Sequence, residues 1–324
     1  MRTLPWIGLA LVCLANATLA NDVFLSRAKK IAGSDLAHLY RNFCQIEKDK
    51  SYLQTLEIPP TRVFENLVFL GRGKWNSWAL LTSDGIILFD SLETETEAKR
   101  YIVDGLRTLG LDPASIKKVI VMHGHGDHSG GARYFQREYG AEVYLSQADW
   151  DLLAATQVAT ENSSDDKPYA IIDGVRVRKL FADQTVPEFD QVITDGQIIQ
   201  LGDSQVRLYF TPGHTAGTVS AILPLHQGGQ SYIGGYWGGT GFTAPGTDIA
   251  QYLQSLNRFK NIARAAGVNV ALSNHPTSDM TLQRLPLLPQ APEDTAHPFV
   301  IGESGYQRLL ETLSLCIKNY RAGQ

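Results

Sequence analysis

The sequence predicts an α/β protein, a four-layer αββα sandwich folded as a single domain. Three observations carry that expectation. Strand-like runs followed by a helical pattern occur twice along the chain, once in each half. Five of the eight histidines fall where a predicted strand ends, the position at which open α/β sheets collect their ligands. No linker divides the 324 residues into independent units, and 44% hydrophobic with 19% charged content can bury one large core or two modest ones.

Residues 1–20 read as a secretory signal peptide: Arg2 supplies the charge, Leu4 to Leu14 the apolar region, and Asn16-Ala17-Thr18-Leu19-Ala20 the small residues for cleavage after Ala20 or after Ala17. The apolar run is too short for a comfortable membrane span. Cys13 is a poor lipidation site, because Val12 sits where a small residue is wanted. The mature protein is thus expected to be periplasmic or secreted, without stable membrane association. Export leaves Cys44 and Cys316 in an oxidising compartment. A disulfide between them is expected from the even pair, with two buried free thiols as the alternative.

An N-terminal helical segment is expected over residues 21–60, where Ser34 can cap a helix carrying Leu36, Leu39, Tyr40 and Phe43 on its apolar face. Ile58-Pro59-Pro60 breaks the chain, and the main domain is expected over residues 61–324. Asn76 to Thr82 and Ile86 to Asp90 flank Ser83-Asp84-Gly85, a hairpin signal. Glu93 to Leu109 reads as a helix stopped by Gly110, Ala132 to Tyr139 as a second, and Glu142 to Leu145 as a strand. Glu161 to Pro168 is a polar loop, and strands resume near Gln191. The stripe Ile249, Tyr252, Leu253, Leu256, Phe259, Ile262 and Ala266 marks a helix that ends at Gly267. Residues 276–298 are proline-rich and expected to form a loop near the metal-binding residues, before a last helix bearing Tyr306, Leu309, Leu313 and Cys316.

The chemistry concentrates in His123-Gly124-His125-Gly126-Asp127-His128, four metal-binding side chains in six residues. The run Lys118 to Met122 before it reads as a buried strand, and the two glycines allow turns that aim neighbouring side chains at one centre. Imidazole and carboxylate together suit zinc or a similar first-row metal, and two adjacent metals would use all four groups. His214 in Thr211-Pro212-Gly213-His214-Thr215 and His275 in Ser273-Asn274-His275-Pro276 each follow a further predicted strand.

These loops, in this order and spacing, resemble the metallo-β-lactamase superfamily over roughly Val63 to Pro276. The pattern is most similar to class B β-lactamases of the third subclass, whose second metal is held by histidine rather than cysteine. The resemblance implies a di-zinc hydrolase with two Zn(2+) per chain. His123, His125 and His214 would hold the first, and Asp127, His128 and His275 the second. Many members of the superfamily place a metal-bridging aspartate between the last two histidine motifs. Ser231 to Gly239 has no carboxylate and no cysteine, which favours attack on a carbonyl over phosphodiester or redox chemistry.

The implied mechanism is attack of a metal-bound hydroxide on a carbonyl, most directly the amide of a β-lactam ring, with Asp127 orienting the nucleophile while ligating. A lactonase, esterase or other amide hydrolase of the same fold is the alternative. Asp90, at a strand end, can hold the outer nitrogen of a ligating histidine or merely cap its strand. Tyr236 and Trp237 are expected as a substrate wall over the metals, and His297 as a possible lining residue, whereas His38 and His226 read as structural or solvated. The loop Gly234-Gly235-Tyr236-Trp237-Gly238-Gly239-Thr240-Gly241 offers no lysine to hold a substrate carboxylate. Net charge −4 gives no field for nucleic acid; the expected partner is a small-molecule substrate, and the expected state a monomer.

Overall fold

A computed structural model describes residues 23–45, 51–162, 167–172, 175–181, 183–290 and 296–323. The signal-peptide reading of residues 1–20 lies outside the described residues. Two sheets pack face to face. The first has seven strands in the order β1 (Thr61–Phe64), β2 (Leu67–Gly71), β3 (Asn76–Thr82), β4 (Gly85–Phe89), β5 (Ile116–Ile120), β6 (Glu142–Ser146) and β9 (Gln191–Ile193). The second has five, β10 (Ile198–Leu201), β11 (Ser204–Phe210), β12 (Val219–Gln227), β13 (Gln230–Trp237) and β14 (Val270–Ser273). A separate hairpin pairs β7 (Tyr169–Ile172) with β8 (Val175–Arg178).

Period-two alternation on the strands fills three apolar layers. Phe69, Trp78, Phe89, Ile120, Leu208, Tyr236 and Leu272 meet between the sheets. Leu88, Val119, Val121 and Leu145 point from the first sheet to Ile102, Leu106 and Phe135 on outer helices. Ala271 and Trp237 face the opposite outer layer, where Tyr252, Phe259, Leu310 and Leu313 lie on helices Ile249–Ala265 and Gly302–Ala322. The result is the four-layer αββα sandwich. Among the described residues no helix is long and apolar enough to cross a membrane.

The N-terminal segment is docked on this outer layer. Cys44, ending helix Ala37–Cys44, is disulfide-bonded to Cys316 across 272 residues of sequence. Closing so long a loop contributes roughly 2–5 kcal/mol, chiefly by restricting the unfolded chain.

Three local expectations are corrected, and one element was missed. Ser34 does not cap: the helix begins at Ala37 after Leu36, with no side-chain cap, because residues 33–36 form a turn that joins it to a preceding helix over 23–32. The run 95–108 is helical but passes through a π segment, Ala98–Val103. Hairpin β7–β8 was not anticipated, since two four-residue strands beside a polar loop carry too little periodicity. Residues 281–290 are not loop but a short helix, Thr281–Arg284, and a 3-10 turn, Leu285–Gln290.

The sheet directions decide where chemistry can occur. β4, β5 and β6 run parallel, as do β13 and β14, so their C-terminal ends open on one edge of the sandwich. Val219 N donates to Met122 O at 2.8 Å and Asn76 N to Asn274 O at 3.1 Å, tying the two sheets together at that edge.

Candidate metal centre

β5 delivers the chain to Met122, after which His123 and His125 turn inward and a short helix, Gly126–Ser129, presents Asp127 and His128. His214 enters on the loop after β11, and His275 just beyond β14. The side chains gather into two groups, His123 with His125 and His214, and Asp127 with His128 and His275, the potential ligand atoms within each lying within 4.8 Å of one another. His214 Nε2 stands 3.1 Å from His123 Nε2 and 3.1 Å from His125 Nδ1. Asp127 Oδ2 lies 3.3 Å from His128 Nε2 and 3.7 Å from His275 Nε2.

Four outer imidazole nitrogens have acceptors. His123 Nδ1 donates to Gly238 O at 2.9 Å and His214 Nδ1 to Gly241 O at 2.9 Å. His128 Nδ1 donates to Asp90 Oδ2 at 2.9 Å and His275 Nδ1 to Lys74 O at 2.7 Å. A donor at Nδ1 fixes the tautomer and leaves the Nε2 lone pair facing the centre. His128 Nε2 is buried there with no hydrogen-bond partner. Three lone pairs converging at such distances repel one another unless a cation sits among them, so these residues fit a metal ion at each group.

The electrostatics agree. Burial, with the charges of neighbouring imidazoles, holds His123 and His214 well below the ordinary imidazole range, and burial pulls His125 and His275 to about 4, all neutral ligands at pH 7. Burial opposes charge on Asp127, yet His128 and the other imidazoles keep it ionised. Burial disfavours charge on His128 too, but Asp127 and Asp90 together raise it to about 10. Two carboxylates against one imidazole create a demand for positive charge, which a metal ion meets as well as a proton does.

Asp90 does more than hold His128. It also accepts from Met122 N at 2.7 Å and Tyr236 OH at 3.3 Å, and its backbone is left-handed, φ 59°. A non-glycine residue at such a φ is strained, and these contacts hold it there. Opposite it, buried Asp149 accepts from Gly124 N at 2.9 Å and Thr215 Oγ1 at 2.9 Å, joining the H-x-H loop to the P-G-H-T loop. Burial pushes its carboxyl up to about 6. Sequence reading missed Asp149. Its one signal is Ser146 three residues earlier, whose hydroxyl caps the helix by accepting from Asp149 N at 3.3 Å. Gly213, at φ 136°, lies where a Cβ would come 2.4 Å from Tyr252 Cα, so the loop before His214 requires glycine.

Tyr236 and Trp237 are not a substrate wall, and this corrects the expectation. β13 is covered on both faces, so consecutive side chains are buried in opposite directions. Tyr236 is 0% exposed and stacks on Phe89 at 5.4 Å between the sheets. Trp237 packs in the outer layer, donating to Tyr252 OH at 3.0 Å. His297 also lies away from the centre, stacked on Phe64 at 4.1 Å and donating to Val63 O at 2.8 Å. His38 meets Gln283 Nε2 at 2.9 Å, and His226 is exposed. Asp248, the first carboxylate after β13, caps the helix Ile249–Ala265.

The true wall is elsewhere. A cavity of about 640 Å³ opens over His125, Asp127, His214 and His275, bounded by Leu152, Leu153 and Thr156 of helix Gln147–Glu161, by Val177 to Leu180 at the end of β8, by Gln184, and by Thr240, Gly241 and residues 244–246. That volume suits a small molecule.

Residues 70–227 match the family model described as Metallo-beta-lactamase superfamily. Residues 70–227 are thus similar to a domain of that superfamily, and the fold is the metallo-β-lactamase fold. Among solved structures it is similar to BJP-1, a subclass B3 metallo-beta-lactamase of Bradyrhizobium japonicum, with a TM-score of 0.61 and 18% identity, over 84% of this chain and 95% of that one. Among curated proteins, the N-acyl homoserine lactonase AttM of Rhizobium johnstonii is 24% identical over 57% of this chain and 67% of its own length. The probable metallo-hydrolase YqgX of Bacillus subtilis is 28% identical over 45% of this chain, which spans 58% of YqgX.

Proposed function

We propose that this protein is an exported, di-zinc hydrolase whose substrate is a carbonyl compound, most directly the amide of a β-lactam ring. The observation that carries the reading is the three-and-three division of ligand groups, with no carboxylate or cysteine in Ser231 to Gly239 to bridge them. Zinc bound by these residues supplies Lewis acidity and makes water a nucleophile near neutral pH. The chain's own part is orientation. Gly238 O, Gly241 O, Asp90 and Lys74 O hold four imidazoles in register, and Asp149 fixes the spacing of the two loops that carry the first group. Asp127, 17% exposed, is the ligand-type carboxylate that lines the cavity, and it would orient the nucleophile while ligating.

Export is supported by the Cys44–Cys316 disulfide and by the charged-then-apolar pattern of residues 1–20. A second reading, lactone opening, is favoured by the likeness to AttM. A panel of penicillins, cephalosporins, carbapenems and acyl lactones on zinc-loaded protein separates them. The proposal expects β-lactam turnover that chelators abolish and clavulanate-type inhibitors leave intact. Lactone hydrolysis without turnover of any β-lactam moves the protein to the second reading.

A further inference from the structure

The cavity contains a cation and a buried donor that the metal chemistry does not use. Arg178, at the end of β8, lines it with its guanidinium 4.5 Å over the Phe181 ring. Among the described residues no carboxylate is ion-paired with it, although its charge acts on both His125 and Glu93. Gln184, 8% exposed, accepts from Phe181 N at 2.9 Å through Oε1, which leaves Nε2 buried in the same wall without a partner. That amide sits against the metal loop: a Cβ on Gly126 would come 2.4 Å from it. Buried donors are normally satisfied, and one left open beside a cavity is a place for a ligand oxygen.

We propose that Val177 to Leu180, together with Gln184, form the substrate-recognition arm of this pocket. Arg178 pairs with a carboxylate on the substrate, and Gln184 Nε2 donates to a second substrate oxygen. The apolar neighbours Leu152, Leu153 and Val177 take up the uncharged part of the molecule. The substrate class is therefore a carboxylate-bearing cyclic amide or ester. The inference rests on the carbonyl-hydrolase reading and supplies, from a different element, the cation that the Gly234–Gly241 loop lacks.

The test compares benzylpenicillin with its methyl ester on zinc-loaded full-length protein. Arg178→Ala should raise KM for the acid about tenfold or more, with kcat within about threefold and the ester within about twofold of wild type. Arg178→Lys should recover part of the loss, and Gln184→Ala should weaken acid and ester alike. Equal effects of Arg178→Ala on acid and ester, or none on either, overturn the proposal. Absence of turnover in wild type refutes the hydrolase reading instead. Calorimetric titration with ring-opened benzylpenicilloate then decides the arm by itself: binding that Arg178→Ala weakens about tenfold supports it, and unchanged binding or none in wild type overturns it.

Discussion

His123, His128, His214 and His275 each have an outer nitrogen fixed by a carbonyl or by Asp90, and most of these rings are buried. Across the cavity, the segment from β7 to β9 leaves Ile171, Phe181 and Phe189 exposed, and the Arg178 guanidinium stacks on the Phe181 ring. The first region is braced from both sheets, and the second presents apolar side chains to solvent. The difference separates two tasks: strand ends braced from both sheets set the chemistry, while a short hairpin on a helix sets what may approach it.

The comparison is easiest to break at Asp127. Asp127→Asn keeps the shape of the loop but removes the charge among three imidazoles, and should lower kcat about a thousandfold with the circular dichroism spectrum unchanged. Activity near wild type would move the chemistry out of the braced region. Trp237→Ala tests the scaffold beneath it. A buried tryptophan lost from the outer layer should cost about 3–5 kcal/mol in denaturant unfolding, while KM of the remaining folded enzyme stays put. A raised KM with little loss of stability would restore Trp237 to the substrate wall.

Cys44→Ser should cost roughly 2–5 kcal/mol of stability with kcat/KM unaffected, because the bridge lies in the outer helical layer and neither cysteine lines the metal cavity. Asp90→Asn should weaken the second zinc about 10–100-fold in competition titration and leave the first unchanged, since Asp90 touches His128 and none of the first group. Equal weakening of both sites would mean that the two groups share one support.

The sequence showed the braced region far better than the hairpin region across the cavity. His123 to His128, His214 and His275 were legible because each follows an apolar run and glycine marks the turn, so composition and position agree. The strong helical stripe from Ile249 and the Ser83-Asp84-Gly85 hairpin were legible for the same reason. Asp149 was not, because a buried carboxylate in the first turn of a helix has the same local sequence as an exposed one, and only the approach of Gly124 and Thr215 shows its role. Tyr236 and Trp237 misled because period-two alternation tells which residues face apart, not whether both faces are covered. Arg178 and Gln184 stand in a segment whose strands are four residues long, and what brings them to the metals is packing on helix Gln147–Glu161 rather than any pattern of their own.

The central claim is that two metal ions are held, three ligands each, by side chains braced from both sheets. Zinc analysis of dialysed wild-type protein beside His275→Ala tests it most directly. The account predicts two equivalents per chain in wild type and one in the variant, with the site of His123, His125 and His214 still filled. Wild-type protein that holds a single equivalent at saturating zinc would contradict it.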